Sequence, residues 1–152
     1  MQKMLAVVVS TLAVVLSSFS FVRAEITINL AAIETIESDG NAYAFNQHTK
    51  CYGLYQISEI CLKDFNLAHQ TDYTGQDLFI PMVNEAVAAW YFEEVKRMLD
   101  YYEIPVSLFT VIAAYNWGIG NVVKWHKNGA DFAQLPQETQ NYIAKYQKLA
   151  SL

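Results

Sequence analysis

The segment DLFIPMVNEAVAAWYFEEVKRML, residues 77–99, decides the fold class of this chain. Its apolar side chains recur at spacings of three and four residues, as they do along one face of an α-helix. The stripe consists of Ile80, Val83, Val87, Trp90, Tyr91, Val95 and Met98. The pattern therefore predicts a long amphipathic helix over 77–99, with Trp90 in the protein core.

The same helical period continues on both sides of this segment, without sustained strand alternation or an internal repeat. Shorter helices are predicted over 26–38, 55–65, 105–115, 120–127 and 136–149. Pro81, Pro105 and Pro136 each precede such a pattern and are predicted helix starts, because a missing N–H costs least there. The stretch 39–52, with its glycine and asparagines, is predicted to be a loop or a short hairpin. We therefore expect a mostly α-helical fold of about six helices.

Composition limits the class of protein. The 152 residues are 53% hydrophobic and only 16% charged, which is typical of one compact domain and not of a disordered chain. The formal net charge is −5, and it becomes −7 without the first 24 residues, where 8 Lys and Arg stand against 15 Asp and Glu. Such an acidic chain argues against nucleic acid as a partner.

The first 24 residues have the pattern of an export signal. Lys3 leads into an apolar run from Leu5 to Leu16, and Val22-Arg23-Ala24 offers small residues at the two positions that a signal peptidase reads. We expect cleavage and a periplasmic or extracellular protein. The alternative is an uncleaved anchor, because residues 4–22 carry no charge and approach the length of about 17 to 25 residues that a membrane helix needs. Contact with a membrane is expected only through this segment.

The two cysteines, Cys51 and Cys61, leave two alternatives open. In an exported chain a disulfide between them would close a loop of about 11 residues and stabilise the fold by about 2 to 3 kcal/mol. A pair of buried free thiols is the other alternative. Metal binding is less expected than either, because His48, His69 and His126 form no ligand spacing with the cysteines.

Four short motifs follow one another along the chain: IETIES at 33–38, GLYQI at 53–57, AYNWGIG at 114–120 and LPQETQNYI at 135–143. In this order, after an export signal, they resemble the catalytic domain of soluble lytic transglycosylases, which are relatives of goose-type lysozyme. The resemblance covers residues 26–146. It implies a lysozyme-like catalytic domain over 25–152, a monomer, peptidoglycan glycan strands as the substrate, and no cofactor.

The resemblance also implies a reaction: cleavage of the β-1,4 bond between N-acetylmuramic acid and N-acetylglucosamine, with formation of 1,6-anhydromuramic acid. Ordinary glycosidases use two carboxyl groups. Lytic transglycosylases use one, because the C6 hydroxyl of the substrate attacks its own anomeric carbon. Intramolecular nucleophiles reach effective molarities of about 10⁵ to 10⁸ M. One glutamate can then donate a proton first and remove one later.

Glu37 is the residue to which the resemblance assigns this role, since it is the glutamate of the Glu-Ser pair. Ile33 and Ile36 supply apolar surroundings that favour a protonated carboxyl. Glu34 is the nearest alternative, three residues earlier on the same helix. Asp39 is another: inside the cleft it would allow a two-carboxylate hydrolytic mechanism, but an aspartate before a glycine is more typical of a turn.

The remaining motif residues are expected to form the sugar cleft. The candidate substrate-binding residues are Ser38, Gly53, Leu54, Tyr55, Gln56, Tyr115, Asn116, Trp117 and Tyr142. Tyr142 matches the family tyrosine whose hydroxyl lies close to the catalytic carboxyl, and Trp117 is the best candidate to stack on a sugar ring. Glu138 and Thr139 are expected to secure the last helix, and Trp125 is assigned to neither core nor cleft.

Two other functions stay open at the level of the sequence. One is a hydrolysing muramidase on the same fold, and the other is a non-catalytic glycan-binding or assembly protein. The chain also resembles the small specialised transglycosylases that open the cell wall for a secretion, pilus or conjugation apparatus. Such an apparatus is therefore a candidate partner. General wall turnover is the alternative role.

Overall fold

The computed structural model describes residues 25–151, so the predicted export signal over 1–24 lies outside the described residues. The described part is mostly helical, as predicted, and has the expected lysozyme-like fold. Its helices are α1 (Leu30–Ser38), α2 (Glu59–His69), α3 (Pro81–Tyr101), α4 (Leu108–Trp117), α5 (Ile119–Lys127) and α6 (Gln137–Ala150). Its strands are β1 (Phe45–Asn46), β2 (Cys51–Tyr52) and β3 (Ile57–Ser58), and short 3-10 turns cover Asp77–Phe79 and Phe132–Gln134. None of the helices among residues 25–151 combines the length and apolar character needed to cross a bilayer.

Helix α3 is the centre of the fold and packs against α2, α4 and α5. Six of its residues are buried: Asn84, Val87, Ala88, Phe92, Val95 and Leu99. Trp90 packs half-buried against the core, as predicted. The predicted start at residue 77 is wrong, because Ile80 has an extended backbone (φ −83°, ψ 115°) and separates the 3-10 turn from Pro81.

The prolines do not all begin helices. Pro81 is the first residue of α3, as predicted. Pro105 lies before α4, which begins after Ser107, and the side chains of Ser107 and Thr110 cap each other's backbone N–H groups. Pro136 immediately precedes α6. The prediction that Pro105 starts a helix is therefore wrong, because the capping box two residues later fixes the helix start.

The predicted hairpin is present and gains a third strand. Strands β1, β2 and β3 form an antiparallel sheet in which Phe45 pairs with Tyr52, and Cys51 pairs with Ser58. The helix predicted from residue 55 begins only after Ser58, whose hydroxyl accepts a hydrogen bond from the Cys61 N–H at 3.2 Å. Helix α1 likewise begins after Asn29, whose side chain accepts from the Ala32 N–H.

The buried amide of Asn84 ties α3 to the turn between β2 and β3. Its Nδ2 donates to the backbone oxygens of Tyr52 and Leu78, both at 2.8 Å, and its Oδ1 accepts from the Tyr55 N–H at 2.9 Å. Gly53 lies against this amide with φ +73°, and a Cβ there would lie 2.3 Å from the Leu78 oxygen. Only glycine satisfies both the positive φ and the close approach.

We predict that Asn84→Ala lowers the free energy of unfolding by about 3 kcal/mol, because it leaves two carbonyls and one N–H buried without partners. Urea unfolding followed by circular dichroism measures the change. Asn128→Ala is the matched control, since Asn128 is exposed, and it should change the unfolding free energy by less than about 0.5 kcal/mol. Equal effects of the two substitutions would contradict the structural role of Asn84.

Candidate active site

Glu37 lies in the last turn of α1, where that helix packs against α6. The Tyr142 hydroxyl donates a hydrogen bond to Glu37 Oε1 at 2.6 Å. One turn further along α6, the Tyr146 hydroxyl accepts from the Asn29 N–H at 2.8 Å, at the other end of α1. Two tyrosines of α6 thus hold both ends of α1, and the first of them fixes the orientation of the Glu37 carboxyl.

The environment of Glu37 favours its protonated form. Burial raises the pKa of Glu37 above its usual value, because a desolvated carboxylate loses favourable hydration. The hydrogen bond from Tyr142 opposes this by stabilising the anion, and the negative charge of Glu138 raises the pKa further. Burial is the largest of these effects, so Glu37 retains its proton to a higher pH than a solvated glutamate does.

Two cavities meet at Glu37. The larger has a volume of about 580 Å³ and extends from Glu37 towards the sheet and α2. The other has a volume of about 500 Å³ and lies between the end of α1 and α6. Glu37, Asn116 and Glu138 line both. Together the cavities form one cleft that passes the Glu37 carboxyl, and a linear polymer could lie on both sides of it.

The structure brings five predicted residues into this cleft. Gln56, Tyr115, Asn116 and Trp117 line the larger cavity, and Tyr142 lines the smaller. Tyr115 is held by its ring, stacked on Phe92 at 4.4 Å, and by its hydroxyl, which donates to the Tyr55 backbone oxygen at 2.7 Å. The Asn116 side chain has no hydrogen bond to any described residue, so its amide can bind a ligand.

Four predicted residues line neither cavity: Ser38, Gly53, Leu54 and Tyr55. Tyr55 is only 2% exposed, and burial, with the nearby charges of Glu85 and Glu34, raises its pKa to about 12. Leu54 is also buried in the core. The Ser38 hydroxyl donates to the Glu34 backbone oxygen within α1. These four residues belong to the structure around the cleft and do not line it.

The alternative carboxylates predicted from the sequence lie outside the cleft. Asp39 is exposed, ends α1 in the left-handed conformation (φ 52°), and its N–H donates to the Thr35 oxygen. Asp39 thus has the turn role that is expected of an aspartate before a glycine. Glu34 lines neither of the two cavities and faces Tyr55. Of the three carboxyl groups considered from the sequence, Glu34, Glu37 and Asp39, only that of Glu37 reaches the cleft.

Apart from Tyr142, the residues on the α6 side of the cleft were not among the predicted site residues. Glu138, Asn141 and Lys145 line the smaller cavity with Tyr142. Glu138 and Lys145 are separated from Tyr142 by four and three residues, so they share its helix face. This spacing was the signal that could have found them. Thr139, in contrast, is buried in the core and secures α6, as expected.

The tryptophans have separate roles. Trp117 lines the larger cavity. Trp125, which the sequence left unassigned, is 7% exposed and donates from Nε1 to the Asp131 backbone oxygen at 2.7 Å, so it belongs to the core. Of Trp90, Trp117 and Trp125, only Trp117 lines this cleft.

Both cysteines line the larger cavity as free thiols. Burial, with the nearby Asp64 and Cys51, raises the pKa of Cys61 to about 12, whereas Cys51 is half-exposed and directs its sulfur to the Thr49 oxygen at 3.7 Å. Among residues 25–151, no three histidine, cysteine or acidic side chains come together as metal ligands.

Comparison with known proteins adds the family. The sequence matches the transglycosylase SLT domain family over residues 27–137. A search of curated proteins found no significant match to the chain. The matched region contains Glu37 and every residue of the larger cavity except Glu138, and it ends before Glu138 and Tyr142.

We predict that Tyr142→Phe raises the pKa of Glu37, because the substitution removes the hydrogen bond that stabilises the carboxylate. Carbon-detected NMR titration of the glutamate carboxyls measures the shift. Tyr146→Phe is the matched control, since it removes a buried hydroxyl from the next turn of α6 without touching Glu37. An unchanged or lower Glu37 pKa in Tyr142→Phe would contradict this account of the site.

The thiols give a second prediction. Native protein without added reductant should take up one iodoacetamide group quickly, at Cys51. Cys61 should react only after unfolding, because at pH 8 a thiol with a pKa of about 12 is ionised in about one molecule in ten thousand. Intact-mass spectrometry counts the groups, and Cys51→Ser should abolish the fast step. A protein that reacts only after reduction would instead carry a disulfide.

Proposed function

Because the chain belongs to the transglycosylase SLT domain family, we propose that it cleaves the β-1,4 bond between N-acetylmuramic acid and N-acetylglucosamine in peptidoglycan. The family assignment implies a glycan-cleaving transglycosylase that acts on peptidoglycan. We propose further that Glu37 is the single acid and base, and that the product ends in 1,6-anhydromuramic acid.

One observation carries the proposal: a carboxyl group that favours its proton lies where the two cavities of the cleft meet. A general acid needs a pKa near the working pH and contact with the leaving oxygen. The Tyr142 hydroxyl occupies Oε1 of Glu37. Oε2 makes no hydrogen bond to a described residue, and we propose it as the oxygen that protonates the substrate.

The reaction then has two steps. Glu37 donates its proton to the glycosidic oxygen as the bond from that oxygen to C1 of the muramic acid breaks, which releases N-acetylglucosamine with a free 4-hydroxyl. The C6 hydroxyl of the same muramic acid forms a new bond to C1 and gives its proton to the Glu37 carboxylate. The glutamate is restored, no water is consumed, and the hydrogen bond from Tyr142 stabilises the carboxylate between the two steps.

Asn116 and Trp117 fit the binding part of this reaction. Asn116 lines both cavities with a free amide, which offers a donor and an acceptor to an N-acetyl group. Trp117 offers an aromatic surface on which a sugar ring can stack in the larger cavity. Holding the muramic acid in place keeps its C6 hydroxyl near C1, which is what allows the substrate to supply the nucleophile.

Glu138 supports a second candidate, a hydrolysing muramidase. It is an exposed carboxylate that lines both cavities beside Glu37, where it could orient a water molecule as the second carboxyl of an ordinary glycosidase does. The two mechanisms differ in their products, since hydrolysis adds one water to each cleaved bond.

We also propose that residues 1–24 direct export of the enzyme. It would then act as a monomer outside the cytoplasm, where its substrate lies. The apolar run, the serines after it and the small residues near Ala24 support export. A secretion, pilus or conjugation apparatus is the partner class that the small size of the domain suggests.

We predict that Glu37→Gln lowers the rate of peptidoglycan cleavage at least about a hundredfold, because the amide cannot donate the proton. Asp39→Asn, the matched control, should keep nearly full activity. Glu138→Gln should still give anhydro products. Mass spectrometry of the soluble muropeptides released from purified peptidoglycan measures the rate and identifies the ends.

Three outcomes would oppose the proposal. Products one water heavier than the anhydro form, lost in Glu138→Gln, would make the enzyme a hydrolase. Full activity in Glu37→Gln would remove Glu37 from its role. An absence of soluble products from the wild-type protein would leave a glycan-binding function.

The pH profile tests the acid directly. Glu37 must be protonated to begin the reaction, so the rate should fall as the pH rises through its raised pKa. Tyr142→Phe raises that pKa, and the alkaline limb of its profile should therefore move to higher pH, whatever the absolute rate. A limb that stays in place or moves to lower pH would show that another group controls the rate.

A further inference from the structure

The smaller cavity has a wall formed by one face of α6. Glu138, Asn141, Tyr142 and Lys145 line it, opposite Ile36 and Glu37 of α1. Lys145 follows Tyr142 by three residues, a rise of about 4.5 Å along a helix, and Tyr142 contacts the Glu37 carboxyl. Lys145 therefore lines the same small cavity as Glu37 and lies one helical turn from the tyrosine that contacts its carboxyl.

Lys145 differs in charge from everything else that lines the cleft. Among the described residues that line the two cavities it is the only lysine or arginine, whereas the ionisable carboxyls are those of Glu37, Asp64 and Glu138. Lys145 is exposed and has no hydrogen bond or ion pair with a described residue. Lys96 on α3, in contrast, is neutralised by Glu93 at 2.7 Å.

The two sugars of peptidoglycan differ in the charge that they carry. N-acetylglucosamine is neutral, but N-acetylmuramic acid bears a lactyl group to which a stem peptide with free carboxylates is attached. An acidic protein repels such a group, and the acidic lining of the larger cavity repels it most where water is displaced. The unpaired Lys145 ammonium is therefore the group in the cleft that can stabilise an anionic substituent.

We propose that Lys145 binds a carboxylate of the stem peptide. The ion pair would orient the substrate so that its peptide-bearing side lies at the smaller cavity. This rests on the proposed function and adds a specificity-determining residue to it. The Lys145 ammonium forms an ion pair with a carboxylate of the peptide. The Glu37 carboxyl remains available to protonate the glycosidic oxygen. An exposed pair of this kind changes affinity by a factor of about two to five.

The experiment compares Lys145→Met with Lys148→Met on three soluble substrates. Lys148 is the matched control, because it is an exposed lysine of α6 that lines neither cavity. The substrates are uncrosslinked glycan strands with intact stem peptides, the same strands after their carboxylates have been converted to amides, and strands from which an amidase has removed the peptides. The last retain only the lactyl carboxylates.

We expect Lys145→Met to raise KM on the intact strands about threefold, with kcat nearly unchanged, and to match wild type on the amidated and peptide-free strands. Lys145→Arg should restore the wild-type KM. The defect on intact strands should shrink at high ionic strength, because salt screens an exposed ion pair. Lys148→Met should behave as wild type on all three.

Other results overturn the proposal. A defect that persists on amidated strands would mean that Lys145 does not read charge. A defect on the peptide-free strands as large as on the intact ones would mean that Lys145 binds any anionic group on the muramic acid and is not specific for the stem peptide. No defect on any strand would leave Lys145 a solvated lysine. Failure of the proposed function is separate, since then the wild-type protein cleaves none of the three substrates.

Discussion

The buried amide of Asn84 is the contact on which the arrangement of the cleft depends. It holds the turn between β2 and β3 against the central helix through three hydrogen bonds. That turn presents the Tyr55 oxygen to the hydroxyl of Tyr115, and the next two residues of α4 are Asn116 and Trp117. A polar side chain in the core thus helps to position two residues that line the cleft, through hydrogen bonds between side chains and backbone.

The other half of the cleft depends on the packing of α6 against α1. Tyr142 and Tyr146 are one turn apart on α6 and contact the two ends of α1, so neither helix can slide without breaking both contacts. The same face of α6 supplies Glu138 and Lys145. The contacts that hold α1 and the charged side chains that line the smaller cavity therefore come from a single helix face, whose tyrosines are buried and whose charged residues are exposed.

The sequence predicts the helical class and the position of α3, because the apolar period is a local signal. It also predicts that Glu37 lines the cleft, because the order of the motifs can be read directly along the chain. Other features depend on tertiary contacts. Tyr55 reads as a cleft residue from its motif, yet a positive φ at Gln56 and the Asn84 amide turn it into the core. Pro105 loses its predicted role to the cap at Ser107. Lys145 belongs to no motif, and its spacing of three residues from Tyr142 becomes informative only because α6 packs against α1.

The direction of α1 has its own consequence for Glu37. An α-helix carries a partial negative charge at its carboxyl end, and α1 ends one residue after Glu37, at Ser38. Besides burial, the helix dipole thus opposes a negative charge on Glu37. The helix dipole and burial therefore act in the same direction on the carboxyl, and the hydrogen bond from Tyr142 opposes them. The chain direction of a nine-residue helix thereby favours the protonated carboxyl, which is the form that the proposed reaction needs at its start.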